Sequence, residues 1–405
     1  MDLADIDLVD PGNFVAGVPF DWFAQLRREA PVYWHPDPDS EGGGFWAVTR
    51  FDDCVGVNRD YEHFSSARRT SLFKDFDEDL LEQQRMMMLN MDPPLHTRYR
   101  RLVNKGFTPR MIRDLEVKVV SATDSILDAV CEQGSADFVE QISAELPLQV
   151  IADLVGVPQE DRHLVFDWSN RMIGADDPEY QVSAEAAGQA AMELFAYADQ
   201  LCEQKRLDPH ADLLSVLTGT EMDGDSLSQL ELDLFFMLLA VAGNETTRNL
   251  ISGGMTALIE NPEQRARLIA DPKLIPSAVE EMLRWVTPVI YMRRTAQKDV
   301  EIRGKTIKEG DKLALYYASA NRDEEVFPNA DKFDVGRTPN DHVAFGVGEH
   351  FCLGNNLARY EIRAMFEELL RRLPDIQIAG KSRQLRSNFI NGIKQMPVSF
   401  TPEKA

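Results

Sequence analysis

The sequence predicts a mostly α-helical protein with minor antiparallel β-structure, and three observations carry that expectation. Apolar residues recur at three- and four-residue spacing from about residue 109 to 260, the period of helices with one buried face. Strand-like alternation is confined to short runs near residues 44–49 and 299–318. A glycine-rich loop, Phe345–Gly354, then leads into a last amphipathic helix.

Taken in order, Gly44–Thr49 (GFWAVT) reads as a strand and Asp52–Asn58 as a short helix after it. Ile112–Cys131 and Ala184–Lys205 keep the helical period. Asp223-Gly224-Asp225 reads as a turn, with Ser226 the expected N-cap of a long helix running to about Ile259. Pro276–Trp285 is another helix, stopped before Pro288. Asp299–Ile302 and Lys312–Ala318 alternate around Gly304 and Gly310, which predicts a small antiparallel sheet. Asn321–Pro339 is turn-rich, Gly354–Arg372 is the final helix, and strands and loops close the chain. No Gly/Ser run, Pro-rich spacer or internal repeat divides the sequence, so a single domain over residues 1–405 is expected.

Forty-three basic against 67 acidic residues give a formal net charge of −24, which disfavours nucleic acid and anionic membranes as partners. The first residues, MDLADIDLVDPGNF, have neither a basic leader nor an apolar core. The longest apolar stretch, around Leu234–Val241, falls short of the roughly 18 residues a membrane span needs. A soluble, cytoplasmic protein is the expectation. Cys54, Cys131, Cys202 and Cys352 are scattered and never form CxxC, which predicts reduced thiols rather than disulfides.

Cys352 has unusual neighbours. Phe345–Gly354 reads FGVGEHFCLG, and Cys352 stands at the start of the last helix. Backbone N–H groups and the helix dipole there favour a thiolate. A zinc site fails on ligand count, since His350 is the only other candidate nearby. On these residues alone a nucleophile, a metal-bound thiolate and a buried thiol behind a tight turn all stay open.

The loop resembles the haem-binding signature of cytochromes P450, with Phe345, Gly348, Cys352 and Gly354 at that family's spacing. The resemblance implies a cytochrome P450 fold with haem b (iron protoporphyrin IX) between the long central helix and the cysteine loop. Cys352 would then be the thiolate ligand, whose electron donation favours O–O cleavage. Phe345 would pack beside the sulfur.

Other landmarks follow in order between about Asp10 and Val398. Glu281-x-x-Arg284 matches the family's ExxR motif at a spacing that lets the two pair, and Arg337 resembles its third member. In Ala242–Thr247 (AGNETT), glycine, asparagine and paired threonines oppose helix propensity and predict a local break or bulge. The segment resembles the family's oxygen-binding groove, with Glu245 and Thr246 as the acid–alcohol pair that delivers protons to dioxygen. His96 and Arg100 fall four apart on one helical face, in a segment that with Phe107-Thr108-Pro109 resembles the C helix. Together with Arg294 and His350 they occupy the family's propionate-binding positions, although Arg293 competes with Arg294.

The resemblance further implies hydroxylation of an apolar substrate with O2, by a monomer taking electrons from a ferredoxin and its ferredoxin reductase. Such ferredoxins are acidic, so Arg98, Arg101 and Lys105, extended by Arg363, Arg371 and Arg372, are expected to form a basic patch on the cysteine side. Substrate contacts are expected from Ser65–Leu95 with its run Met86-Met87-Met88, from Leu238–Ala242, from Val289–Met292 and from Phe389-Ile390. These are mostly apolar or soft side chains. Arg27–Pro31, Ala242–Asn249, Tyr291–Thr295 and Asn388–Val398 resemble one bacterial subgroup, which hydroxylates terminal methyl groups of methyl-branched lipids, cholesterol side chains and isoprenoids. Peroxygenase or rearrangement chemistry and a haem sensor are the alternatives, and the Glu245–Thr246 pair argues against both.

Overall fold

In the first part of the chain, helix α1 (Phe20–Glu29) buries Phe23 and Leu26 and leads into strands β1 (Val32–Pro36) and β2 (Gly44–Val48). This computed structural model describes residues 2–71, 75–107, 109–174, 176–180, 185–221 and 224–403; Thr108, Ala184, Asp223 and residues 72–74 of the expected substrate loop lie outside them. Helix α2 (Phe51–Arg59), β3 (Phe64–Ser65), α3 (Glu78–Arg85) and α4 (Leu95–Asn104) follow.

A helical block succeeds them. It comprises α5 (Pro109–Asp128), the short β4 (Ser135–Asp137), α6 (Glu145–Val155), α7 (Arg162–Ile173), α8 (Ala186–Leu207) and α9 (Leu213–Thr218). It ends with the 32-residue α10 (Gln229–Glu260), roughly 48 Å long at 1.5 Å per residue. Next come α11 (Pro262–Ala270), α12 (Ile275–Val286), β5 (Met292–Ala296), β6 (Val300–Ile302), β7 (Lys305–Ile307) and β8 (Lys312–Leu315). After α13 (Tyr317–Ala320) an irregular stretch reaches α14 (Asn355–Arg372). Short strands β9 (Gln377–Ile378), β10 (Arg383–Gln384), β11 (Ile393–Gln395) and β12 (Pro397–Ser399) close the chain.

The expected helices are present, with two corrections on α10. Its N-cap is Ser228 rather than Ser226: the Ser228 hydroxyl accepts from the Glu231 amide while the Glu231 carboxylate accepts from the Ser228 amide. That reciprocal capping box satisfies two donors that a lone cap would leave open. The second correction concerns Ala242–Thr247, where the helix runs on without a break. Thr246 Oγ1 donates to the Ala242 carbonyl at 2.8 Å, so its hydroxyl is absorbed within the helix. Gly243 has a packing reason instead, since a Cβ there would lie 2.9 Å from Cδ1 of Ile151 on α6.

The main sheet has the order β1-β2-β8-β5-β3. It is mixed rather than purely antiparallel, because β2 and β8 run parallel with Trp46 opposite Leu313. The expected strand Lys312–Ala318 ends at Leu315, where the chain turns into α13. The hairpin β6–β7 turns at Arg303-Gly304, and β12 lies between β4 and β9.

Two apolar clusters position the site. The first half of α10 packs Phe235, Phe236 and Ala240 with α4, α6 and α8. Its last turns pack Ile251, Met255 and Leu258 with α5, α12 and α14. Between them lie Asn244, Glu245, Thr247, Arg248 and Asn249, all buried. A polar midsection buried between two cores is costly to keep unless it serves something.

Candidate active site

A cavity of about 270 Å³ opens where mid-α10, the cysteine loop, α4, α6 and the segment before β5 meet. Cys352 is on its wall, with Phe345, Gly346, His350 and Leu353. The loop is held by its own backbone: the Cys352 amide donates to the Phe345 carbonyl at 3.0 Å. Gly348 has φ of 77°, and a Cβ there would meet the Asn58 carbonyl at 2.9 Å, so close approach to α2 requires glycine. Burial pushes the Cys352 thiol up, and the Gly354 amide, Arg100 and Arg359 oppose it without prevailing. The thiolate preference expected from the helix start is therefore outweighed by desolvation. A cation at the sulfur would reverse the balance, since a coordinating thiol is deprotonated outright.

Four expected partners of an anionic group converge on the same cavity: His96, Arg100, Arg294 and His350. The His96 and His350 rings lie 4.2 Å apart. His350 Nε2 is 3.0 Å from the Met91 carbonyl, whereas among the described residues neither ring nitrogen of the buried His96 has a hydrogen-bond partner. Burial, reinforced by Arg100, brings the His96 pKa down to about 4. Arg100 donates to the Glu349 and Phe351 carbonyls, at 3.4 and 2.6 Å. Arg294 donates to the Arg293 carbonyl and to Asn58 Oδ1, at 2.7 and 3.0 Å. Arg293 turns away and pairs with Asp75 at 2.9 Å, so strand alternation brings Arg294 rather than Arg293 to the cavity. Among the described residues neither Arg100 nor Arg294 pairs with a carboxylate. Two guanidinium groups without counter-ions, beside a buried imidazole without a partner, fit the carboxylates of a haem.

On α10, Ala242, Gly243, Thr246 and Thr247 face the cavity. Glu245 lies off that face of the helix, its side chain turned to Arg248 one turn on. Its carboxylate is buried against Arg248 through Oε2, while Oε1 has no partner among the described residues. Arg248 is held from α7, donating to Asn170 Oδ1 at 2.9 Å with its guanidinium 5.6 Å from the Phe166 ring centre. Burial raises the Glu245 pKa against the pull of Arg248. The acid and the alcohol thus occupy adjacent positions on different faces.

The ExxR pair sits behind this wall, with Glu281 and Arg284 fully buried. Glu281 accepts from Arg284 at 2.7 and 2.8 Å, from Arg337 at 3.0 Å, from the Asp334 amide at 2.9 Å and from Asn340 at 3.1 Å. The network ties the irregular stretch before the cysteine loop to α12.

On the substrate side, Met88, Leu89, Leu238, Leu239, Val289 and Met292 line the cavity. Met86 and Met87 pack into the neighbouring core. Phe389 and Ile390, expected at the cavity, stand behind it: Ile390 bridges to Val289 and Phe389 packs on Tyr291 at 5.4 Å. The expected basic patch is also corrected. Arg98 pairs with Asp225 and Glu231, Arg363 with Glu367, Arg371 with Glu368, and Arg372 with Asp128 and Glu403. A chain so rich in carboxylates neutralises most of these cations internally.

Sequence reasoning missed Glu361, a buried carboxylate on the cavity wall, which a helical spacing of four from Leu357 would have signalled. It also missed the pairing of Glu280 with Arg359, at 2.7 and 3.0 Å, for which distant sequence positions give no signal. Among the described residues no helix is long and apolar enough to cross a membrane.

Comparison with known proteins bears on the whole chain. The family model "Cytochrome P450" matches residues 55–374. A steroid C26-monooxygenase of Rhodococcus jostii is 43% identical over 97% of this chain and 84% of its own length. A methyl-branched lipid omega-hydroxylase of Mycobacterium tuberculosis is 42% identical over 94% of this chain and 90% of its own. A Mycobacterium marinum cytochrome P450 solved with pseudoionone superposes with a TM-score of 0.90, at 41% identity and 98% coverage of both chains. With the cysteine loop, the unpaired cations and the cavity between them already in place, these matches lead to one conclusion: the chain belongs to the cytochrome P450 family and is a haem-containing monooxygenase.

Proposed function

We propose that this monooxygenase hydroxylates a terminal methyl group on the apolar side chain of a steroid or methyl-branched lipid, with electrons from a ferredoxin and its reductase. The observation that carries the reading is the wall of Met88, Leu89, Leu238, Leu239, Val289 and Met292, a stretch of the cavity that among the described residues is apolar and apart from Arg100, Arg294 and Glu361. Such a wall selects by shape and apolar area. Relatives named for steroid C26 and omega oxidation support the same regiochemistry.

In this reading Cys352 ligates the iron, His96, Arg100, Arg294 and His350 hold the propionates, and Phe345 and Gly348 shape the loop. Bound there, haem supplies the activation of O2 from which one oxygen atom enters a C–H bond. Thr246 lines the cavity, and its Oγ1–H, donated to the Ala242 carbonyl in this structure, turns from that carbonyl to hold a proton toward the cavity. Glu245 takes a proton from water at the free Oε1 and, on rotating away from Arg248, passes it to Thr246.

A panel of steroids, branched fatty acids and terpene alcohols, scored by spin-state shift and followed by product analysis, tests the proposal. Terminal hydroxylation, supported by ferredoxin and reductase rather than by peroxide, is the expected result. Binding restricted to compact aromatic compounds, or oxidation at ring carbons, would overturn it.

A further inference from the structure

We propose that Arg359 and Glu280 form a charge-compensated pair that sets how strongly the Cys352 sulfur donates to the haem iron, an inference that rests on reading Cys352 as the ligand. Arg359 stands on the second turn of α14, and its contacts lead back to the cysteine. Nη1 donates to Asn355 Oδ1 at 2.8 Å, and Asn355 Nδ2 donates to the Cys352 carbonyl at 2.8 Å. The guanidinium carbon lies 4.6 Å from the centre of the Phe345 ring, and the Phe345 carbonyl accepts the Cys352 amide. Nε and Nη2 reach Glu280 in a two-pronged contact at 2.7 and 3.0 Å. Glu280 also faces His342 at 3.1 Å, and His342 Nδ1 accepts from the Ala344 amide at 3.2 Å, next to Phe345.

Glu280 and Glu281 are consecutive on α12 but run separate networks, because they point about 100° apart. Glu281 is consumed in the core, while Glu280 reaches the cysteine loop. Burial alone would raise the Glu280 carboxyl, yet hydrogen bonds from His342 and Arg359 bring it down to about 2. Glu280 is therefore a carboxylate throughout the neutral range, and with it paired to the Arg359 guanidinium the sulfur faces a dipole rather than a bare cation. Removing either partner leaves a unit charge close to the ligand in a medium that screens it poorly. An uncompensated cation draws electron density from the sulfur and favours the ferrous state; an uncompensated anion does the reverse. Arg359 and Glu280 are positioning residues on this account, since neither touches the reacting atoms.

Redox titration of the holoenzyme tests the pair. Glu280→Gln should raise the ferrous-to-ferric ratio at fixed potential about tenfold, ~59 mV for one electron, and Arg359→Gln should lower it by a similar factor. The double variant should return close to the parent, and Arg359→Lys, which keeps the charge, should stay there. A merely structural role predicts shifts of one sign or none, and that outcome overturns the proposal. If Arg359→Gln fails to retain haem, Glu280→Gln and Arg359→Lys still decide between the two. The Soret band of the reduced carbon-monoxide complex, compared with Cys352→Ser, reports ligation independently. An unchanged spectrum in that variant would remove the reading of Cys352 and this inference together, whereas wrong-signed potentials remove the inference alone.

Discussion

Two buried glutamate–arginine pairs of identical spacing, Glu281-x-x-Arg284 on α12 and Glu245-x-x-Arg248 on α10, are completed differently by their surroundings. Glu281 receives donors at both oxygens from four residues, and Arg284 also donates to the Asn321, Ala330 and Lys332 carbonyls. On α10, Glu245 Oε1 and Arg248 Nε have no hydrogen-bond partner among the described residues. A saturated pair has one arrangement and loses much if it is broken. A half-satisfied pair keeps a free oxygen at which a proton can arrive and leave. Burial and spacing are alike; the difference lies in what the rest of the chain brings to each.

The largest effect is expected where the network is complete. Glu281→Ala leaves Arg284 buried without its carboxylate and should cost about 3–5 kcal/mol in chemical denaturation. A loss under about 1 kcal/mol would erase the contrast between the pairs. Glu245→Gln should reverse the balance of effects. Its stability cost should stay near 1–2 kcal/mol, while kcat falls on the order of 10²-fold, the scale of a lost proton-transfer group. An unaltered kcat would make the α10 pair purely structural.

Glu361 extends the comparison to a buried acid whose raised pKa no cation offsets. Burial alone lifts its pKa to about 8. The folded state then binds a proton that the unfolded state releases above its ordinary range, near 4.3, so this group lowers stability as pH rises from there to about 8. Glu361→Gln should stabilise the protein by roughly 3–4 kcal/mol at pH 7, with the gain fading below about pH 4. A gain independent of pH would show that the acid is not held neutral. The smallest effect belongs to Arg98, whose pairs with Asp225 and Glu231 are partly exposed. Arg98→Ala should cost about 1 kcal/mol or less and leave reduction by the electron donor unchanged.

The contrast also marks how far the sequence could be read. Periodicity located the long helices, and motif spacing brought Cys352, His96, Arg100, Arg294 and His350 to one cavity. Such signals are local or set by a resemblance, so they survive without coordinates. Other features depend on residues far away in the chain. Glycine at position 243 predicted a broken helix, but its cause is Ile151 on another helix. Arg98 and Arg372 counted as surface cations until Asp225, Glu231, Asp128 and Glu403 were placed beside them. Phe389 and Ile390 stand behind the cavity because the tail pairs with Val289 first. The side on which Glu245 points follows from helix geometry and was available in principle; its pairing with Arg248 instead of the cavity was not.

The parallel pairing of β2 with β8 has a consequence for synthesis. Trp46–Val48 finds its partner only when Leu313–Leu315 has emerged, which at ~5–20 residues per second is roughly 15–50 seconds later. Throughout that interval the inner edge of the β1–β2 hairpin presents unpaired backbone groups and the buried side chains of Phe45, Ala47 and Val48. A nascent chain of this protein therefore depends on being shielded until nearly four-fifths of it has been made, and truncations that end before Lys312 should aggregate rather than fold.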